Sequence, residues 1–513
     1  MSSEFLPPDD MSLDAAGEVL SVRLPVTERG MGESDGSYYD TFDGLLHAAG
    51  RFAVHERGRM ALVDRETGAE IAAMAMPLPT QPLLGHELGE GKLRDALLPL
   101  IDVRALLPLV HIHSRMRALD VLDSERKTVV RMALQESALI GPGSRETPLR
   151  PRLRLAAVRG YDEELDYVRH KLVEELGFRE ADQLVVDEAV RAAGGIPGGT
   201  PSKIHVKLSV DQRSDAAVCA VLRRLLGVIE ANIEGTIADT DTEFLHDFRV
   251  SVRRSRAVQR ELKGVFPPDQ LTAFRTEFRW LQQVTGDSRD LDVYVLEFDS
   301  LRKILPQRMR ADLDPLLVVL KGRRLTARRE MVRELRSERT GRLLHEWGAL
   351  LAELAERPAA GRPDALRPIG EVAGARILKV YKRMVKMGSA IDSSSPPEDY
   401  HELRKVGKEL RYLLELFGAP LFPEAVVKPM IRTLKGLQDV LGRHQDREVQ
   451  VATLSSLRDQ VSALPGGPAA LMAMGVLVMR LADDEQAARD EFADVFATFA
   501  GASQRRLVEE TFA

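Results

Sequence analysis

Leu245-His-Asp-Phe-Arg-Val-Ser-Val-Arg-Arg-Ser-Arg256 aligns position for position with Tyr400-His-Glu-Leu-Arg-Lys-Val-Gly-Lys-Glu-Leu-Arg411, and these two stretches decide how the larger part of the chain is read. His246, Arg249, Arg253 and Arg256 fall at i, i+3, i+7 and i+10, and His401, Arg404, Lys408 and Arg411 fall at the same offsets. At about 100° per residue each set occupies roughly 80° of a helix circumference, a straight cationic ladder. Beside it run Phe248, Val252 and Leu262, and in the second stretch Leu403, Leu410 and Phe417, an apolar stripe that must face a core. The ladders therefore border a core rather than project freely.

Outward from the ladders the correspondence continues. Each stretch runs on to a Phe-Pro turn, Phe266-Pro267 and Phe422-Pro423. Arg279-Trp-Leu-Gln-Gln-Val-Thr-Gly286 and Asp290-Leu-Asp-Val293 then match Lys435-Gly-Leu-Gln-Asp-Val-Leu-Gly442 and Asp446-Arg-Glu-Val449. Two copies of one helical unit are expected, over about 209–356 and 369–513, because apolar residues recur at three and four throughout and the breaks near 266–268, 357–368 and 393–397 contain proline. Arg279 and Lys435 on the next helix widen the candidate surface, as do Arg223, Arg376, Lys379 and Arg383 on the helix before each ladder. Asp290 and Asp446 read as helix caps or partners of a ladder arginine.

Arginine suits a polyanion because its planar fork donates two parallel hydrogen bonds and stays protonated. Histidine adds a donor whose charge an anion would favour. A charge run on a single helix is usually a solvated face. Two diverged copies that keep the histidine and the basic offsets argue otherwise, since exposed ion pairs stabilise too little to explain them.

Ahead of the helices, Ala193-Gly-Gly-Ile-Pro-Gly-Gly-Thr-Pro201 cannot continue a helix or a strand, so 193–208 reads as a linker. Residues 18–192 read as an α+β domain and 1–17 as a flexible lead-in. Glu18-Val-Leu-Ser-Val-Arg23, Met60-Ala-Leu-Val63, Thr128-Val-Val-Arg-Met-Ala133 and Arg152-Leu-Arg-Leu-Ala156 read as strands at period two. Helices are expected over 91–107, kinked or broken at Pro99, and over 163–177.

Composition bounds the rest. The 513 residues are 44% hydrophobic, enough for two or three cores. With 72 basic against 78 acidic residues the net charge is −6, so any anion site must be a local cluster. The lone Cys219 excludes an intrachain disulfide and a thiolate metal cluster. Apolar stretches at 96–112 and 469–479 are interrupted or stopped by Asp102, Arg104 and Arg480, short of a membrane span, and a cytoplasmic protein is expected.

The doubled His-x-x-Arg motif at His246 and His401, with Arg289-Asp-Leu-Asp-Val293 downstream, resembles the CHAD family, the conserved histidine α-helical domain. That resemblance covers about 209–513 and implies two helical bundles related by pseudo-twofold symmetry that bind inorganic polyphosphate through the ladder residues, with a place at polyphosphate granules. Ser37-Tyr-Tyr-Asp-Thr-Phe-Asp43 resembles a segment of the CYTH family, which implies an antiparallel β-barrel or tunnel for the first domain. Arg115, Arg117, Arg131, Arg152 and Arg154 are its candidate tunnel cations, though alternate basic residues can equally be the wet face of a sheet. The family's Glu-x-Glu-x-Lys metal signature corresponds here to Glu18, Leu20 and Val22. No catalytic residue, metal or cofactor is therefore expected. The alternatives are a triphosphate hydrolase with its metal ligands moved to residues such as Glu28, Glu56 or Glu136, and a general nucleic-acid binder. Aromatic residues at 5%, with two tryptophans, count against the latter.

Overall fold

The computed structural model describes residues 4–9, 11–392 and 394–512, and readings that fall on 1–3, 10, 393 and 513 lie outside the described residues. The chain divides into two compact units, Met1–Ser202 and Lys203–Ala513.

The first unit is a sheet with helices against it. Its strands are β1 (Glu4–Leu6), β2 (Val26–Asp40), β3 (Arg51–Glu56), β4 (Arg59–Asp64), β5 (Glu70–Ala75), β6 (Leu83–Leu84), β7 (Ala105–Leu122), β8 (Thr128–Ile140), β9 (Glu146–Pro148), β10 (Arg152–Ala157) and β11 (Arg179–Glu180). They pair antiparallel in the order β11-β1-β10-β8-β7-β2-β3-β4-β5, with β6 on β7 and β9 on β8. Period-two patterning sets the faces: Val130, Met132 and Leu134 of β8 are buried while Arg131 between them is exposed. The expected barrel is not closed. β5 and β11 end the path unpaired to each other, and a two-residue β11 offers too few hydrogen-bonding groups to complete a ring.

Helices of eight residues or more in this unit are α1 (Leu13–Arg23), α2 (Lys92–Ile101), α3 (Asp162–His170) and α4 (Val185–Ala192). α1 corrects the strand reading of Glu18-Val-Leu-Ser-Val-Arg23 and the reading of 1–17 as flexible. Ser12 caps the helix by accepting from Ala15 N at 3.2 Å, and Ala16, Leu20 and Leu24 are buried at a spacing of four. Val22, which a strand would have turned inward with Leu20, is left exposed. α2 ends at Ile101, and from Ala105 the chain enters β7, so the helix stops short of residue 107.

The second unit is helical: α5 (Ser214–Ala238), α6 (Thr242–Glu261), α7 (Pro268–Val284), α8 (Gly286–Leu296), α9 (Asp314–Leu335), α10 (Glu338–Glu353), α11 (Ile369–Gly388), α12 (Pro397–Leu413), α13 (Glu424–Ser462), α14 (Gly467–Phe499) and α15 (Ala502–Phe512). One core runs through both copies, from Val218 and Phe248 to Leu403, Leu410 and Phe417. Trp347, fully buried, meets Phe274 and Phe278 at ring separations of 4.8 and 5.3 Å. A separate core around Tyr294, Leu320, Leu454 and Leu477 joins α8, α9, α13 and α14. The ladder helices α6 and α12 thus sit on the shared core, and the other cluster supports the far ends of α13 and α14.

Gly235 of α5 lies under the ring of Phe244, and a Cβ there would stand 2.2 Å from Phe244 Cδ1. Alanine is favoured over glycine in a helix by about 1 kcal/mol. Overpacking of a buried ring costs about 1–3 kcal/mol and should win. Gly235→Ala is therefore expected to lower the chemical-denaturation midpoint of the helical unit, against the direction of helix propensity.

Candidate anion-binding surface

The apolar stripe that fixes each ladder is buried as its spacing requires: Phe248, Val252, Leu262, Leu403, Leu410 and Phe417 are all 0–1% exposed. With those faces anchored, the cations emerge along the border of the core.

Equivalent residues of the two copies hold equivalent rungs. His246 Nδ1 accepts from Arg289 Nη2 at 3.0 Å, and His401 Nδ1 meets Gln445 Oε1, where Gln445 is the counterpart of Arg289. Arg256 donates through Nη1 to Gln282 Oε1, and Arg411 Nη1 donates to Gln438 Oε1 at 3.2 Å, again a matched pair. Arg404 Nη2 pairs with Asp446 Oδ1 at 3.2 Å. Its counterpart Arg249, 8% exposed, donates through Nη1 to Gln282 O and Thr285 Oγ1, both at 2.8 Å. A Cβ at Gly442 would stand 3.4 Å from Arg404 Nη2, and one at Gly286 3.8 Å from Arg249 Nη1, so the matched glycines leave room beside the guanidinium groups.

The third rung is different. Arg253 and Lys408 make no hydrogen bond or ion pair among the described residues, and the buried Nε of Arg253 has no acceptor. α6 and α12 are fastened across the copies by Arg254 Nη2 to Glu415 Oε2 at 2.8 Å and Arg260 Nη2 to Glu409 Oε1 at 2.7 Å, and the charge of Arg253 acts on Lys408. Burial, then the charges of Arg404 and Arg253 against that of Asp446, push the Lys408 ammonium down to about 8. Burial and then Arg253 push Arg249 down to about 10. Burial, followed by Arg260, Arg279 and Arg275, lowers Arg256 as well. Like charges are thus held together at a cost that a bound anion would offset.

The flanking candidates divide. Arg279, Lys379 and Lys435 are exposed, and Arg279 adds to the field at Arg256. Arg223 is taken up by the end of α10, donating to Leu351 O at 2.6 and 3.0 Å and to Ala352 O at 3.1 Å. Arg376 pairs with Glu261 at 2.9 Å and Arg383 with Glu409, so a carboxylate neutralises each. The sequence reading passed over Gln282 and Gln438, although the aligned glutamine was visible in the repeat. It also passed over Arg254, whose partner Glu415 is remote in sequence.

In the first unit the five candidate tunnel cations do not share a face. Arg131 pairs across the sheet with Ala156 and Asp120, in step with Arg152 and Arg154 on β10. Arg115 and Arg117 stand opposite Glu136 and Leu134, on the other face with the core of this unit. Arg117 binds Glu28 at 2.8 Å and Arg115 binds Glu33 at 3.2 Å. Arg152 is 1% exposed and gripped by Glu4 at 2.9 Å, Glu188 at 2.5 Å and Gln183 O at 2.6 Å, while Arg154 lies 3.8 Å from Glu4. Among the described residues the grouping with metal-ligand spacing is Glu243, His246 and Asp247, not Glu28, Glu56 and Glu136. Arg289 already stands 3.0 Å from His246 and 3.6 Å from Glu243 there, a cation in place.

These features define a duplicated helical domain, each half of which carries a cationic ladder at the border of the shared core. Residues 220–455 match the family model described as the CHAD domain, so the helical unit carries a CHAD domain. Among solved structures the chain is similar to the CHAD domain from the plant Ricinus communis, at 24% identity over 57% of this chain and 95% of that one, with a TM-score of 0.49. It is also similar to PptA from Streptomyces chartreusis, at 18% identity over 55% and 99%, with a TM-score of 0.43. No curated protein matches.

Arg152→Ala would take away the buried guanidinium that Glu4 and Glu188 share. Removing one partner of a buried pair costs about 3–5 kcal/mol. The first unit should accordingly unfold at lower urea, read by a probe in that unit, while the unfolding of the helical unit stays in place.

Proposed function

We propose that the CHAD domain binds inorganic polyphosphate along the joined ladders, without cleaving it, and that this binding brings the protein to polyphosphate bodies. The observation that carries this reading is the third rung, Arg253 and Lys408, two cations that make no hydrogen bond or ion pair among the described residues while the charge of one acts on the other. A phosphate chain has about one negative charge per unit and many acceptor oxygens, so it suits a row of fixed donors better than a single closed pocket does. The glutamines and Asp446 hold the outer rungs in place, and the central rung is left for the ligand. The histidines sit at the entrance of each ladder, where an anion favours their charged form.

The first unit is read as a CYTH-like sheet that does no hydrolysis. Its first strand, β1, brings one carboxylate, Glu4, and that group is engaged by Arg152. Phosphate release from tripolyphosphate with Mg²⁺ or Mn²⁺ tests this directly, and turnover by the full chain would overturn it. Single-stranded RNA is disfavoured as a ligand because aromatic residues make up only 5% of the chain, few to stack on bases. In competition at physiological salt, long-chain polyphosphate should displace RNA, and equal affinity would sink the assignment. Among the described residues no helix is long and apolar enough to cross a membrane.

Arg253→Ala with Lys408→Ala should weaken polyphosphate binding by more than about tenfold, since charge-assisted hydrogen bonds are lost. The slope of log K against log salt should fall by about one for each contact removed. An unchanged affinity with intact helicity would mean that the stripe is only surface.

Lys408 also sets a pH dependence. Its folded value of about 8 lies below the ordinary 10.5, so between these the unfolded chain binds more protons. The lysine's contribution to stability should therefore rise with pH across that window while polyphosphate affinity falls. Lys408→Arg is expected to flatten both trends, as titration calorimetry and denaturant melts at pH 7 to 10 would show.

A further inference from the structure

The segment that leads into the helical unit, Lys203-Ile-His-Val-Lys-Leu208, is extended and alternates strictly. Ile204, Val206 and Leu208 pack against the shared core, and Lys203, His205 and Lys207 point outward and are exposed. Among the described residues none of the backbone N–H or C=O groups from 203 to 208 is hydrogen-bonded, because helices offer no strand edge to pair with. Three half-buried apolar side chains alone hold this strap down.

An anchor of that kind has no structural need for a basic residue at every outward position. Lys203, His205 and Lys207 form no hydrogen bond or ion pair among the described residues. Lys203 and His205 line a depression of about 280 Å³ together with Arg254 of α6, Arg411 of α12 and Lys435 of α13. The carboxylate in its lining is Glu415, already engaged by Arg254 at 2.8 Å and Arg411 at 2.7 Å. Burial pushes the Glu415 carboxyl up, but the hydrogen bonds and charges of Arg411 and Arg254 outweigh it and hold the group below its usual range. The depression therefore keeps a positive excess. Arg411 belongs both to the ladder and to this depression, so a phosphate chain leaving the third rung is led into it.

We propose that the strap is a clamp: Lys203 and His205 close an additional phosphate subsite with Arg254, Arg411 and Lys435, and ligand binding orders the strap over the end of the second ladder. This rests on the polyphosphate reading and extends it to a segment outside the repeats. The unbonded backbone N–H groups of the strap supply further donors to the same chain of phosphates.

The test is titration of the full chain with long-chain inorganic polyphosphate at several salt concentrations, comparing Lys203→Ser with His205→Ser against Arg253→Ala with Lys408→Ala. The strap change touches exposed side chains only, so the fold is kept. It should weaken binding about three- to tenfold, the yield of a few partly screened charge contacts, and lower the salt slope. Replacing both residues by arginine should restore the affinity. In the wild-type chain polyphosphate should also slow tryptic cleavage after Lys203 and Lys207. Unchanged affinity and slope in the strap variant, with binding lost in the ladder variant, would overturn the clamp and leave the ladder reading standing. A wild-type chain that does not bind polyphosphate would overturn both.

Discussion

Arg253 and Lys408 are two half-buried cations that make no hydrogen bond or ion pair among the described residues, and the charge of one acts on the other. Their helices share one core through Phe248, Val252, Leu403 and Leu410. The same helices are tied to each other by Arg254 with Glu415 and Arg260 with Glu409. Repulsion between like charges is stronger in a partly dry site than in water. Burial first, and then this repulsion, lowers the proton affinity of Lys408 and of Arg249. Under the proposed function a polyanion would remove that penalty on binding, so that preorganised cations would become affinity for a row of negative charges.

The duplication distributes this work. Each copy supplies a histidine, a rung beside a glycine and an aspartate, and a last arginine steadied by a glutamine. The copies differ where the chain beneath the ladder changes. In the first copy Thr285 ends α7 and accepts from Arg249, while in the second α13 runs on unbroken and Asp446 takes the corresponding rung. Two backbones, one broken and one continuous, present nearly the same cationic spacing. The ladder's geometry therefore depends on the helices that carry it more than on the details of its supports.

Much of this was legible from local pattern. The offsets of three, four and seven in Leu245-His-Asp-Phe-Arg and its second copy settled which residues share a helix face and which face is apolar. Local pattern failed where the window was short or where two distant segments decide the outcome. Glu18-Val-Leu-Ser-Val-Arg23 fits period two over six residues, and only the cap at Ser12 and the spacing of Ala16, Leu20 and Leu24 make it a helix. The tunnel arginines alternate correctly on their own strands, yet the pairing register puts Arg115 and Arg117 on the opposite face from Arg131, Arg152 and Arg154. The 203–208 strap, read as part of a linker, carries an alternation that acquires meaning only when a core is present to receive its apolar side.

By itself the sequence determined the helical repeat, the two cationic stripes and their placement beside a core, because periodicity is a property of neighbouring residues. The tertiary structure decided which of those cations remain available. Arg376 and Arg383 are neutralised by Glu261 and Glu409, and Arg223 is spent on the carbonyls that end α10. Arg253 and Lys408 are left without an ion pair among the described residues, within reach of each other's charge. Charge pairing acts over a short distance in space and can join residues remote in sequence, as with Arg376 and Glu261, so no reading along the chain can assign it.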